Sequence, residues 1–273
     1  MILLLLINYV LATHNITCIP LAAPKKIPML TYTIDYFLNV YNYYHKGIEI
    51  EEFYLVKGTD QPFPDIDKAA KKLRESGINV NDDIPLYDWK EGTDVFEKFK
   101  NYYTRFWAEY SYNFWKKQRF SWINKDSVIN YYNYQVIEKI FKKKNDYPDY
   151  LLFIEDDVAM KKTFFIELEK QLSMKYNDES AIKLAFPPFY NTDTVGYFTN
   201  KHNCVWGFFG VLLNKEQQRN WIRLAHFLPF GYCGDQFHCM MVWWFDKRVR
   251  LHGLWYHFGR DKNIVPRIKK YWS

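Results

Sequence analysis

The chain predicts an α/β domain built as one continuous unit, with a nucleotide-binding half followed by a less regular half. Three observations carry this. Short β-rich segments alternate with helical ones through the first part of the chain. An apolar strand, "YLLFI" at 150–154, ends abruptly in Glu155, Asp156 and Asp157. No linker or shift in composition divides the second half from the first.

The elements are expected in this order. "PMLTYT" (28–33) has the short, β-rich look of a strand, and a helix from Asp35 to His45 follows it. "EEFYLVKG" (51–58) is a second strand. Pro64-Asp65 opens the amphipathic helix "DIDKAAKKLRES", with Asp65 as its cap and Gly77 closing its end. "GINVND" (77–82) makes a third strand and completes a β-α-β-α-β pattern. No Gly-rich fingerprint accompanies it, so neither a dinucleotide site nor a P-loop is supported. Residues 93–145 read as mainly helical, broken near "RFSWINKDS" (119–127), and "YLLFI" is the fourth strand. Beyond it come a helix over 161–175, "AIKLAF" (181–186), a Pro-Pro break and the apolar "CVWGFFGVLL" (204–213). A helix from Lys215 to about His226 leads to "GYCGDQFHCMMVWWF" (231–245) and "RLHGLWYHFGRDKN" (250–263).

At 273 residues, 48% hydrophobic and 25% charged, the chain can bury an ample core. Aromatic residues make up 20%, with 23 Tyr, 22 Phe and 10 Trp, and most of these must be core. Tyr and Trp also suit sugar or base stacking, because a ring face packs while the polar tip hydrogen-bonds. A net charge of +6 favours anionic ligands or membrane surfaces. The basic residues are scattered, and Lys142–Lys144 reads as a solvated helix end, so no nucleic-acid partner is expected.

The N-terminus, "MILLLLINYVLATHNITC", contains an apolar run at 2–12, shorter than the roughly 20 residues a membrane span needs. It looks like a signal-peptide core lacking its basic leader, or the truncated end of an anchor. Asn15-Ile16-Thr17 is a glycosylation sequon. Together these predict a secretory-pathway protein of the Golgi or ER lumen, with membrane association through the N-terminus. The segment 1–26 is a leader, anchor or stem, and 27–273 the catalytic domain, divided into a nucleotide half (27–160) and an acceptor half (161–273). Cys18, Cys204, Cys233 and Cys239 form no CxxC pair, which argues against zinc and leaves three disulfide pairings open.

The acidic triplet carries the chemistry. Adjacent like charges must be solvated, paired or bound to a cation. A bare "EDD" is most simply a solvated turn. Its place at a strand's carboxyl end, where open α/β sheets bind ligands, favours a site instead. Mg²⁺ and Mn²⁺ take oxygen ligands, commonly one or two carboxylates with substrate phosphates and water. Alternation along the strand end turns Asp156 away from Glu155 and Asp157, so the three need not share one ion.

"YLLFIEDDV" resembles the DXD segment of GT-A glycosyltransferases. The form ending Glu-Asp-Asp is that of the N-acetylglucosaminyltransferase I and IV types and of the N-acetylgalactosaminyltransferase that decorates GPI anchors. "GYCGDQFH" is similar to the loop and helix start that carry the catalytic base. "LHGLWYHFGRDKN" looks like the late segment that closes over the donor phosphates. The order holds across about residues 27 to 263. The GPI-modifying relatives insert a membrane hairpin in this domain, and no matching apolar pair occurs here.

The resemblance implies a GT-A fold and a UDP-sugar donor with Mn²⁺ or Mg²⁺. It further implies a glycan or glycolipid acceptor, GPI among the candidates. Asp157 would bind the metal, and His257 would complete that site or hold a diphosphate oxygen. Asp156 would contact the ribose, Glu155 would order waters or donor hydroxyls, and Arg119 would meet the uracil or diphosphate. His252 is the competitor of His257, but Gly259 beside His257 permits close backbone approach to phosphate. Asp235 would be the base, or else the cap of the helix it begins. Trp206 would be an acceptor wall, or else part of a buried strand. A disulfide of Cys204 with Cys233 or Cys239 would stiffen the loop around Asp235. The competing classes are a metal-dependent phosphohydrolase, which needs further acidic clusters, and a non-catalytic protein of the same fold.

Overall fold

The computed structural model describes residues 13–21, 29–55, 63–82, 136–156, 158–173, 179–185, 196–198, 210–227 and 248–257. Among these described residues, nine strands form one sheet. They are β1 (His14–Leu21), β2 (Ile48–Tyr54), β3 (Val80–Asn81), β4 (Tyr150–Glu155), β5 (Val158–Met160), β6 (Glu179–Ala185), β7 (Gly196–Phe198), β8 (Gly210–Asn214) and β9 (Arg248–His257). The helices are α1 (Met29–Tyr43), α2 (Pro64–Glu75), α3 (136–144), α4 (Phe164–Ser173) and α5 (Lys215–Phe227).

The strand order is β3-β2-β1-β4-β8-β6-β9-β5, with β7 also on β9. β1 runs parallel to β2 and β4, and β2 parallel to β3, which makes a four-stranded parallel half. The second half changes direction. β8 is antiparallel to β4 and β6, β9 is parallel to β6, and β5 and β7 are antiparallel to β9. The α/β class with an irregular second half is the predicted one.

Burial explains the centre of the sheet. Ile16 to Pro20 on β1 and Leu151 to Ile154 on β4 are buried at every position, so both strands are covered on both faces. Leu152 and Ile154 join one core with α1, α2 and α4. Phe153 faces the other way and stacks on Trp221 of α5, with ring centroids 6.0 Å apart. Phe37 of α1 meets Phe53 of β2 edge-on at 5.1 Å and Phe165 of α4 at 5.5 Å. Such pairs contribute about 0.5–1.5 kcal/mol beyond the area they bury. Phe37, Phe53, Phe153, Phe164, Phe165 and Trp221 are core, whereas Tyr43 is exposed.

Several expectations are corrected. The first strand is His14–Leu21, inside the segment assigned to a leader or stem, so the sheet begins before residue 27. "PMLTYT" instead opens α1, whose buried Met29, Leu30, Thr33, Ile34, Phe37, Leu38 and Val40 follow a helical period. The two threonines suggested a strand, but burial on one face prevailed. Asn15 pairs with Glu49 across β1 and β2, and its carboxamide oxygen is buried. Cys18 is a buried free thiol on β1, while Cys204, Cys233 and Cys239 lie outside the described residues. The basic run is not merely solvated. Lys143 pairs with Glu52 at 2.8 Å and Lys144 with Glu51 at 2.6 Å, clamping α3 to β2.

The helix ends show how local signals were used. Gly77 takes φ +79° after α2. Its N–H bonds to Arg74 O at 3.0 Å, and Ile78 N–H bonds to Leu73 O at 3.0 Å. This is the glycine stop predicted from sequence. Asn214 and Gln217 cap α5 reciprocally, each side-chain oxygen accepting from the other's backbone N–H, at 2.8 and 2.9 Å.

Asp65 behaves differently from the expectation. Its carboxylate accepts from the N–H groups of Leu30 and Thr31, both at 3.0 Å, and from the Thr31 hydroxyl. It therefore caps α1, not the helix it stands on, and satisfies two donors that a helix start leaves orphaned. Lys72 of α2 also pairs with Asp35 of α1. Asp65→Ala should lower stability by about 0.5–2 kcal/mol in urea unfolding. Asp67→Ala, on the exposed first turn of α2, should cost less. Equal losses would mean that Asp65 acts only on its own helix.

Candidate active site

Strand order decides where a ligand can sit. From β1 the chain steps through α1, β2, α2 and β3 toward one edge, then returns with β4 on the opposite side of β1. Crossovers leave in opposite directions there, and open α/β sheets bind ligands beyond the carboxyl ends of the strands at such a point. Glu155, the last residue of β4, pairs with Leu21, the last of β1. Glu155 and Asp156 stand at that point.

Glu155 and Asp156 are not a fully solvated turn. Glu155 is half-buried, and Asp156 is only 5% exposed. A carboxylate taken so far from water must be compensated by its surroundings, and its position is thereby fixed. The main chain is also held: the Thr33 hydroxyl on α1 lies 2.9 Å from the carbonyl oxygen of Asp156. Nothing near Thr33 in the sequence signals this contact, which joins residues 123 positions apart.

β5 resumes one residue after the triplet and pairs antiparallel with the end of β9, Val158 opposite His257 and Met160 opposite Trp255. Trp255 also pairs with Ala185 of β6, so β5 occupies the other edge of β9. Residues opposed in such a pair have Cα atoms about 4.5–5.5 Å apart. His257 is thus placed beside the residue that follows Asp157. His252 lies five residues earlier on β9, roughly 17 Å away along an extended strand. The backbone brings together Glu155, Asp156 and His257, and it separates His252 from them. Asp157, Arg119, Trp206 and Asp235 lie outside the described residues, as does Gly259.

An oxygen-rich set with one imidazole suits Mn²⁺, and carboxylate with water and phosphate oxygens suits Mg²⁺ equally. Among the described residues there is no group of three or more His, Cys, Asp or Glu side chains that could hold an ion, and Asp157 is not one of those residues.

No protein-family model matches the chain, and no curated protein matches it. Solved structures similar to it include the inositol-1-phosphate CTP transferase from T. maritima, 10% identical over 95% of each chain with a TM-score of 0.48. Another is a glycosyltransferase involved in the glycosylation of the major capsid of PBCV-1, 11% identical over 95% of this chain and 98% of that one, TM-score 0.40. A third is mouse xyloside xylosyltransferase 1 in its apo form, 14% identical over 91% of this chain and 98% of that one, TM-score 0.44.

The β5–β9 register makes a split between the two histidines testable. With the Mn²⁺ and UDP that the DXD resemblance implies, His257→Ala should weaken calorimetric binding roughly tenfold or more, a loss of at least about 1.4 kcal/mol, with little change in Tm. His252→Ala should lower Tm and leave the calorimetric affinity near that of the unaltered protein. The reverse pattern would move the role to His252.

Proposed function

We propose that this chain is a metal-dependent, inverting glycosyltransferase of the GT-A type. It would move a hexose or N-acetylhexosamine from a UDP-sugar to a glycan or glycolipid acceptor in the secretory pathway. One observation carries the reading. Buried Asp156 and half-buried Glu155 stand where the order of the parallel strands β1–β4 reverses, with His257 in register opposite Val158.

Each residue then has a task. Asp157 would hold the cation, Mn²⁺ or Mg²⁺, with His257 completing that site or holding a diphosphate oxygen, and the ion would neutralise charge on the leaving diphosphate. Asp156 accepts a hydrogen bond from the ribose, and Glu155 orients donor hydroxyls or their waters. Arg119 meets the uracil or diphosphate, and Trp206 offers a stacking wall to the acceptor sugar. In an inverting transfer the acceptor hydroxyl attacks the anomeric carbon opposite the departing UDP. Its proton must leave on that face, away from the triplet. Asp235, from the acceptor half, takes it, and such general-base assistance contributes about 10²–10⁴-fold in rate.

Sugar release from UDP-sugars, measured with Mn²⁺ and again with EDTA, tests the class. Chelator-sensitive release supports the transferase. Release of phosphate from esters would mark a phosphohydrolase, and neither release would mark a binding protein. Asp157→Asn should nearly abolish Mn²⁺-dependent UDP binding with the fold intact, and Asp156→Asn should weaken it less. Unchanged calorimetry in Asp157→Asn would sink the metal assignment. Asp235→Asn should keep UDP affinity and Tm but lose transfer. A normal rate, or product with the donor's anomeric configuration, would remove Asp235 as the base.

A further inference from the structure

We propose that Thr33 is a positioning residue for the acidic turn, a buried hydroxyl on α1 that fixes the main chain at Asp156 and at Val158. The proposal rests on the transferase reading for its consequence, but its geometry stands apart from it. Only Asp156 and Asp157 separate β4 from β5. Those two strands do not pair with each other, since β4 lies between β1 and β8 while β5 lies on β9. Among the described residues, no ladder therefore spans the turn. Thr33 does.

Its side chain is fully buried. The hydroxyl oxygen lies 2.9 Å from the carbonyl oxygen of Asp156 and 2.9 Å from that of Val158. It also accepts from the Val158 N–H at 3.2 Å. A hydroxyl has one proton and two acceptor sites, so it takes the amide while its proton serves one carbonyl at a time. The residue before Asp157 and the residue after it are both tied to one atom of α1. With no water available at a fully buried position, loss of that atom leaves a backbone N–H and a carbonyl without this partner. The turn then relaxes toward other pairings. Displacements of about 1 Å in a site can cost on the order of 100-fold in rate.

Thr33→Val keeps the shape and removes the hydroxyl, and Thr33→Ser keeps the hydroxyl and removes a methyl group. Thr33→Ala serves as a second variant without the hydroxyl should Val not fold. Thr31→Val, at the start of the same helix and bonded to Asp65, controls for weakening of α1 itself. Two readouts are taken on each protein. Amide hydrogen exchange at Val158 needs neither metal nor donor, and calorimetry of UDP with Mn²⁺ reads the site. The hydroxyl-less variants should lose Val158 protection about tenfold or more while Leu152 stays protected, and should bind UDP with Mn²⁺ at least tenfold more weakly. Thr33→Ser should restore both to within about threefold, and Thr31→Val should change neither. Unaltered Val158 protection in Thr33→Val, or a Ser variant as impaired as Val, overturns the positioning role. If the unaltered protein binds no UDP with Mn²⁺, the transferase reading fails. The exchange at Val158 then still decides whether Thr33 holds the turn.

Discussion

A strand buried on both faces can bear charge only where it leaves the core, and β4 is such a strand. Leu151, Leu152, Phe153 and Ile154 are wholly buried, between β1 and β8 in the sheet and between the α1/α2/α4 core and Trp221 across it. Glu155 is the first position at which a carboxylate can stand without being desolvated on every side. The packing of β4 therefore fixes the acidic turn to within a residue. It also places the turn beside the end of β1, at the point where the strand order reverses.

Helix α1 serves three parts of the molecule at once. Its start is closed by Asp65 of α2, its middle carries Phe37 into the aromatic contact between β2 and α4, and Thr33 reaches the turn after β4. The first two roles make the helix rigid, and the third uses that rigidity. A side chain can hold a loop accurately only if its own backbone is held. The cap and the aromatic cluster thus bear on the site although neither touches it.

The second half of the sheet contributes through β9. One long strand receives β6 along one edge, and β7 and β5 in succession along the other. This brings residues from three distant parts of the chain to one strand. Main-chain pairing sets His257 opposite Val158, two residues after Asp156, and such a register is set by hydrogen bonds and is less free than a side-chain approach.

By itself the sequence determined the fold class, the fourth strand with its acidic end, the glycine stop at Gly77 and the helix from Lys215, because each rests on local chemistry. An apolar run, a glycine at positive φ and an amphipathic period act within a few residues. It missed β1, since the burial of "HNITCIPL" on both faces shows only once β2 and β4 are known to flank it. It assigned Asp65 to the nearer helix, because a carboxylate's partner is chosen by proximity in space. Only the tertiary structure decided that His257 and not His252 adjoins the turn, that Asp156 is buried, and that Thr33 holds the turn's main chain. Each of those depends on register and on helix placement, which long-range packing sets and no short stretch of sequence encodes.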